Sequence, residues 1–287
     1  MHLTPLNYKF LTALAFSAFS ALPLSSVKAD PSAFLPPGFL DVSTVASNGD
    51  GNPYGVAFVP KGFPSGGPLN PGDILVSNFN SATGGQGTGT TIVAVPPDGV
   101  AGEVFTFFTG TLAPLTGDDG LTTALGVLKG GFVVVGQLPN DGNGNADPGS
   151  LLFIDQTGKN IVLKYPNVTG PWDLTIDDAS GSATIFVSNV LNGTVVRLAV
   201  TVGTTTVTVN SVTEIAHGYT HRPDPNAFVI GPTGLAYDKS ADVLYVASTG
   251  DNAIFKIPRA EATNTSTFQG TLVTNDPVHL HGPLALA

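Results

Sequence analysis

Histidines, aspartates and one run of alternating oxygen side chains are the groups in this chain whose types and spacing could do chemistry. His217 and His221 stand four apart in a segment flanked by Gly218 and Pro223, and His279 and His281 lie near the C-terminus. Brought together from separate elements, His217, His221 and His281 could offer three nitrogens to a metal. Asp118 and Asp119 are adjacent, and Asp173 follows Trp172, the sole tryptophan. In Asp141-Gly-Asn143-Gly-Asn145-Ala-Asp147, side-chain oxygens recur at alternate positions, as they do in calcium loops. Ala146 occupies the place of the turn glycine and Leu152 that of the closing glutamate, so an EF-hand is excluded and a looser Ca²⁺ site is the expectation. The chain has no cysteine, which removes disulfides, thiolate metal sites and cysteine nucleophiles. It also lacks a Gly-x-Ser-x-Gly elbow and a phosphate-binding loop. Any cation would be held mainly by oxygen, which favours Ca²⁺ over Zn²⁺.

The elements that must position these groups repeat. Gly231-Pro-Thr-Gly-Leu-Ala-Tyr-Asp238 leads into Val243-Leu-Tyr-Val-Ala-Ser248 and Ala253-Ile-Phe-Lys-Ile257. Gly170-Pro-Trp-Asp-Leu-Thr-Ile-Asp177 and Asn52-Pro-Tyr-Gly-Val-Ala-Phe58 open two similar units, and Gly120-Leu-Thr-Thr-Ala-Leu125 opens a degenerate one. Pro53, Leu121, Pro171, Pro232 and Pro283 mark the unit starts, roughly 50 to 70 residues apart, which is the length of a four-stranded propeller blade with its loops. The β-branched runs alternate with period 2 and are broken by Gly, Pro and Asn, which excludes a helical reading. The expected fold is therefore an all-β propeller of four blades plus the start of a fifth at 283–287. Residues 40–46 read as an outer strand that would close the last blade, and the chain reads as a piece of a longer, about six-bladed, ring.

In this topology the loop preceding the inner strand and the loop joining the second strand to the third open on one face. The unusual polar residues fall there: Asp118, Asp119, His217, His221 and His281 before inner strands, Asp173 and Thr233 at their starts, and Asn78 and Asn189 at the ends of second strands. Loops on a rigid ring are where binding groups are mounted, so this face is the candidate site.

Residues 1–29 combine Lys9, an apolar run and Val27-Lys28-Ala29, the plan of a secretory signal peptide. The remainder divides into an N-terminal segment, 30–50, and the propeller, 51–287. The formal net charge is −10, and removal of Lys9 and Lys28 makes it more negative. Such a surface repels phosphate backbones and anionic lipid, which argues against nucleic acid and membrane partners. No second apolar run long enough to span a bilayer follows the signal.

The units starting at Gly170 and Gly231 resemble NHL-type β-propellers, whose repeats pair a Gly-Pro-x-Gly-Leu-Ala strand with a Leu-Tyr-Val-Ala-Asp strand. Asn78, Asn189 and Ser248 stand where the Asp usually is. Beyond the repeat, Gly170-Pro-Trp-Asp173 and Val187-Ser-Asn-Val-Leu-Asn-Gly-Thr194 resemble secreted bacterial propellers of unassigned function. The resemblance implies a secreted or periplasmic module that binds a small molecule, a glycan or a protein through its loop face. It also implies an alternative, a cation-dependent lactonase or lyase with a metal in the channel. Lyases of this type carry a histidine near the start of several inner strands; two residues ahead of the unit starts, that place is held here by His281 and otherwise by Gly51, Asp119, Thr169 and Ile230. The lactonase type needs a glutamate, and the three present (Glu103, Glu214 and Glu261) all lie away from inner-strand starts. Trp172, in an apolar inner strand, reads as a core residue or a plug of the channel rather than a stacking platform.

Overall fold

The computed structural model describes residues 41–83, 85–97, 104–110, 120–140, 145–179 and 181–287. The chain divides into Met1–Leu40 and Asp41–Ala287. The signal segment 1–29 and residues 30–40 lie outside the described residues.

Four antiparallel four-stranded sheets follow one another along the chain, each a simple meander. The first holds β1 (Gly51–Phe58), β2 (Ile74–Asn80), β3 (Thr91–Val95) and β4 (Phe105–Thr109). The second holds β5 (Leu121–Leu128), β6 (Phe132–Gln137), β7 (Ser150–Asp155) and β8 (Ile161–Tyr165). The third holds β9 (Pro171–Ala179), β10 (Ser182–Asn189), β11 (Thr194–Val202) and β12 (Val207–Ala216). A two-stranded hairpin, β13 (Arg222–Asp224) and β14 (Phe228–Ile230), precedes the fourth. The fourth sheet is β15 (Pro232–Asp238), β16 (Val243–Ser248), β17 (Ala253–Pro258) and β18 (Thr271–Thr274). The first strands β1, β5, β9 and β15 lie side by side in that order, as the inner strands of propeller blades do. The fold is an all-β propeller.

Period-2 alternation sends each strand's side chains to two different neighbours. In β6, Val133 and Val135 pack toward the first blade with Leu75 and Ile92, while Val134 packs toward the third with Ile185 and Val187. In β10, Ile185 and Val187 face back to the second blade and Phe186 faces forward to Leu244 and Val246. Strands buried on both faces therefore read as unbroken apolar runs, and each such side chain contributes roughly 1.5–3 kcal/mol. On β1, Ala57 packs inward while Val56 and Phe58 are 57% and 67% exposed on the opposite face.

Residues 283–286 take the place of a fifth inner strand beside β15. A Cβ on Gly234 would come within 2.6 Å of Ala285 Cα and 2.7 Å of Leu286 N, so only glycine permits this approach. The outer strand expected at 40–46 is not formed over 41–46, which carry no strand pairing. Ala46 instead packs onto the first blade with Val76 and Val93, and the Thr44 carbonyl accepts a hydrogen bond from Asn78. This segment finds its burial next to its own following blade, the shorter route for the chain.

Candidate functional site

The four blades repeat one register at the loop face. Pro53 pairs with Asn78, Leu121 with Gln137, Pro171 with Asn189 and Pro232 with Ser248. All four polar partners are buried. Each is tied to the start of the next strand or its turn: Asn78 Nδ2 donates to Thr91 Oγ1 at 3.1 Å, and Asn189 Nδ2 to Thr194 Oγ1 at 3.1 Å. Ser150 Oγ donates to Gln137 Oε1, and Ser248 Oγ to Asp251 at 2.7 Å. Asn189 Oδ1 also accepts the Thr169 N–H at 3.1 Å. Expected as loop-face ligand groups, Asn78 and Asn189 brace the loop between second and third strands through their Nδ2 groups, while the buried Asn78 Oδ1 has no partner among the described residues.

Asp173 and Thr233 are interblade locks. Asp173 accepts the Leu174 N–H at 2.9 Å and, from the next blade, the Leu235 N–H at 2.8 Å. The residue keeps some accessible surface, yet burial of its carboxyl group pushes its pKa up to about 7, against the pull of those two donors. Thr233 is 1% exposed and donates to the Pro283 carbonyl at 3.1 Å, a bond repeated by Thr249 at 2.7 Å. Ser188 Oγ reaches the Thr233 carbonyl at 2.7 Å, and Thr123 Oγ1 the Trp172 carbonyl. Hydroxyls thus join the second blade to the third, the third to the fourth, and the fourth to residues 283–286.

The histidines do not meet. His217 is exposed and bonds Ser266 Oγ at 2.8 Å, His221 bonds the Tyr219 carbonyl at 3.0 Å, and His281 bonds the Val278 carbonyl at 3.2 Å. Among the described residues no group of three His, Cys, Asp or Glu side chains could hold a metal. Asp118, Asp119, Asp141 and Asn143 lie outside the described residues. Asn145 and Asp147 are exposed on either side of Ala146, which pairs with Asn140. Asp50, in Asn48-Gly-Asp50-Gly-Asn52, is buried and accepts both the N–H and the hydroxyl of Thr90, at 2.8 and 3.2 Å.

One register position further on, Tyr54 and Trp172 occupy the place that Thr233 holds in the fourth blade. Their inner strands are separated by β5, so the contact between their rings, 5.8 Å between centroids and nearly perpendicular, is made across the channel. Phe79 stacks on Tyr54 at 4.4 Å and meets Trp172 edge-on at 5.7 Å. Trp172 is 1% exposed and packs in the cluster of Phe79, Leu138, Val190, Phe228 and Val229. The β13–β14 hairpin lies over this cluster. Its Phe228 packs edge-on to Phe79 at 6.3 Å, and Gln86 Nε2 from the first blade donates to the Asn226 carbonyl at its tip at 3.3 Å. Asp224 Oδ1 accepts the N–H groups of Asn226 and Ala227 at 2.9 and 3.1 Å, which fixes the turn.

A cavity of about 220 Å³ remains between hairpin and cluster, lined by Asn52, Tyr54, Gln86, Trp172 and Asn226 together with Phe79, Val229, Thr249 and Leu284. Asn52 and Phe228 have φ of 62° and 66°. Left-handed backbone at a bulky residue costs of order 1–3 kcal/mol and persists where the surrounding structure imposes it. Sequence reasoning did not single out Tyr54, Phe79, Gln86 or Asn226. The signal available was positional: Tyr54, Trp172 and Thr233 each follow the Pro that opens an inner strand.

No protein-family model and no curated protein matches the sequence. Among solved structures, a functionally unknown protein from Desulfotomaculum acetoxidans is 16% identical over 82% of this chain and 60% of that one, with a TM-score of 0.48. A chain of a nidogen/laminin complex is 14% identical over 79% and 69%, with a TM-score of 0.43. The Swd1 β-propeller domain of Myceliophteria thermophila is 11% identical over 78% and 60%, also with a TM-score of 0.43. The chain spans 60% of the length of the first of these. At such identities and scores the architecture rests on the four sheets themselves. Among the described residues no helix is long and apolar enough to cross a membrane.

Proposed function

We propose that this chain is an exported NHL-type propeller that acts as a binding module, with the cavity at its channel mouth as the ligand site. The observation that carries this reading is the mouth itself: an aromatic cluster roofed by an inserted hairpin, with uncharged amides around the remaining space. Ligand sites are concave, largely apolar and fitted with a few placed polar groups, and this cavity has that composition. A buried aromatic floor supplies no general acid, base or nucleophile, which favours recognition over turnover at this point of the molecule. Export is supported by the sequence of residues 1–29, and a mature protein beginning at Asp30 by mass spectrometry is the expected result; an intact residue 1 on the exported protein contradicts it.

The test of the binding reading is a thermal-shift screen of small molecules and glycans, and affinity capture of proteins, using wild type and the triple variant Asn52→Ala, Gln86→Ala, Asn226→Ala. Ligands that stabilise or bind only the wild type are expected. If every ligand found acts equally on the triple variant, the site lies elsewhere.

A further inference from the structure

We infer that the mouth cavity takes a single neutral sugar ring, free or at the end of a glycan; this rests on the binding reading above and names its ligand. Three features of the wall point to that chemistry. Among its described residues none is charged, so a charged ligand would lose its hydration without a counter-charge. Asn52, Gln86 and Asn226 are exposed at the rim, and each has amide atoms left over. Asn52 Nδ2 donates to Asn80 Oδ1 at 3.1 Å, which leaves Asn52 Oδ1 and one N–H; Gln86 Nε2 donates to the Asn226 carbonyl, which leaves Gln86 Oε1 and one N–H; the Asn226 side chain makes no hydrogen bond among the described residues. A planar amide presents a donor and an acceptor side by side, the arrangement that neighbouring ring hydroxyls match. Tyr54, Phe79, Val229 and Leu284 supply the apolar side that the C–H face of a pyranose needs.

Size and rigidity agree with one ring. About 220 Å³ is below the usual range for drug-sized ligands, so the space suits a monosaccharide unit and not an extended chain. The left-handed residues Asn52 and Phe228 bracket the cavity, and Asp224 pins the hairpin tip. The backbone that carries Asn52 and Asn226 is therefore set before a ligand arrives, which lowers part of the ordering cost of binding.

Trp172, the sole tryptophan, forms part of the wall, so fluorescence excited where tyrosine does not absorb reports on this site. The mature protein is titrated with neutral hexoses, N-acetylhexosamines and their methyl glycosides, with glucuronate and a hexose phosphate, and with a capped amino-acid amide as a neutral non-sugar. The expected result is a saturable change with at least one neutral sugar, weakened at least tenfold in Asn226→Ala and in Gln86→Ala, with charged sugars at least tenfold weaker. Methyl glycosides and oligosaccharides binding as well as the free sugar assign a glycan end; binding of the free sugar alone assigns a monosaccharide; either upholds the inference. Equal binding of charged sugars overturns it. Binding of the amide probe but of no sugar, with the same dependence on Asn226, overturns the sugar assignment and leaves the binding module standing. If no probe gives a change that the variants alter, and the screen above finds no ligand dependent on the mouth, both fail.

Discussion

Two sets of amides lie within a few residues of each other on the same face of this propeller. Asn78, Gln137 and Asn189 are buried at the ends of second strands, and each is hydrogen-bonded to a Thr or Ser that begins the next strand. Asn52, Gln86 and Asn226 stand exposed at the channel mouth with amide atoms unengaged. Residue type does not separate the two sets; burial and partners do. The braces hold the ring's loops in a fixed geometry, and the rim amides use that geometry. Removing a brace should therefore cost stability, whereas removing a rim amide should cost affinity.

The largest effect is expected where both roles meet, in the aromatic cluster. Phe79→Ala leaves a cavity against Tyr54, Trp172 and Phe228 and should lower stability by about 3–4 kcal/mol, with loss of ligand binding, measured by denaturant unfolding and Trp172 fluorescence. A smaller effect follows from Asp173. Its folded pKa of about 7 lies above the unfolded value of 3.8, so the native state keeps a proton that the unfolded chain releases. The stabilisation is complete below the unfolded value and is lost as pH rises through about 7. Unfolding midpoints measured between those limits should fall with pH in the wild type and lie flatter in Asp173→Asn; equal slopes would remove the lock from the ledger of titrating groups. Smaller again, Asp224→Ala frees the hairpin tip and should weaken ligand binding a few-fold with less than about 1 kcal/mol lost in stability. Least of all, a chelator should leave ligand affinity at the mouth unchanged, because no carboxylate lines it among the described residues. A chelator-sensitive titration would bring the cation reading back to this face.

Much of the ring was legible in the sequence, because each blade restates one pattern locally. Pro53, Leu121, Pro171 and Pro232 mark inner strands, and they fall at one register in the structure. The burial of Trp172 was legible for the same reason, as an aromatic residue in an apolar inner strand. The site was less so. Asn78 and Asn189 looked like free polar ends until Thr91 and Thr194 were placed opposite them, although a polar residue closing one strand and a Thr or Ser opening the next is visible in three of the units. The contact of Tyr54 with Trp172 joins residues from strands that are not neighbours, and the reach of the 222–230 hairpin from the third blade to Gln86 on the first crosses the channel. Such contacts depend on the closure of the blades around an axis, which no local pattern encodes. The spacing of His217 and His221 carried no information because the segment is not helical.

The central claim is tested most directly by Asn189→Ala and Asn226→Ala measured side by side, each for unfolding free energy and for neutral-sugar affinity. The brace variant should lose about 2 kcal/mol of stability while the folded protein binds within about twofold of wild type. The rim variant should keep its stability within about 0.5 kcal/mol and bind at least tenfold more weakly. An Asn226→Ala protein that binds as tightly as wild type, or an Asn189→Ala protein as stable as wild type, would contradict the division of this face into brace and binding rim.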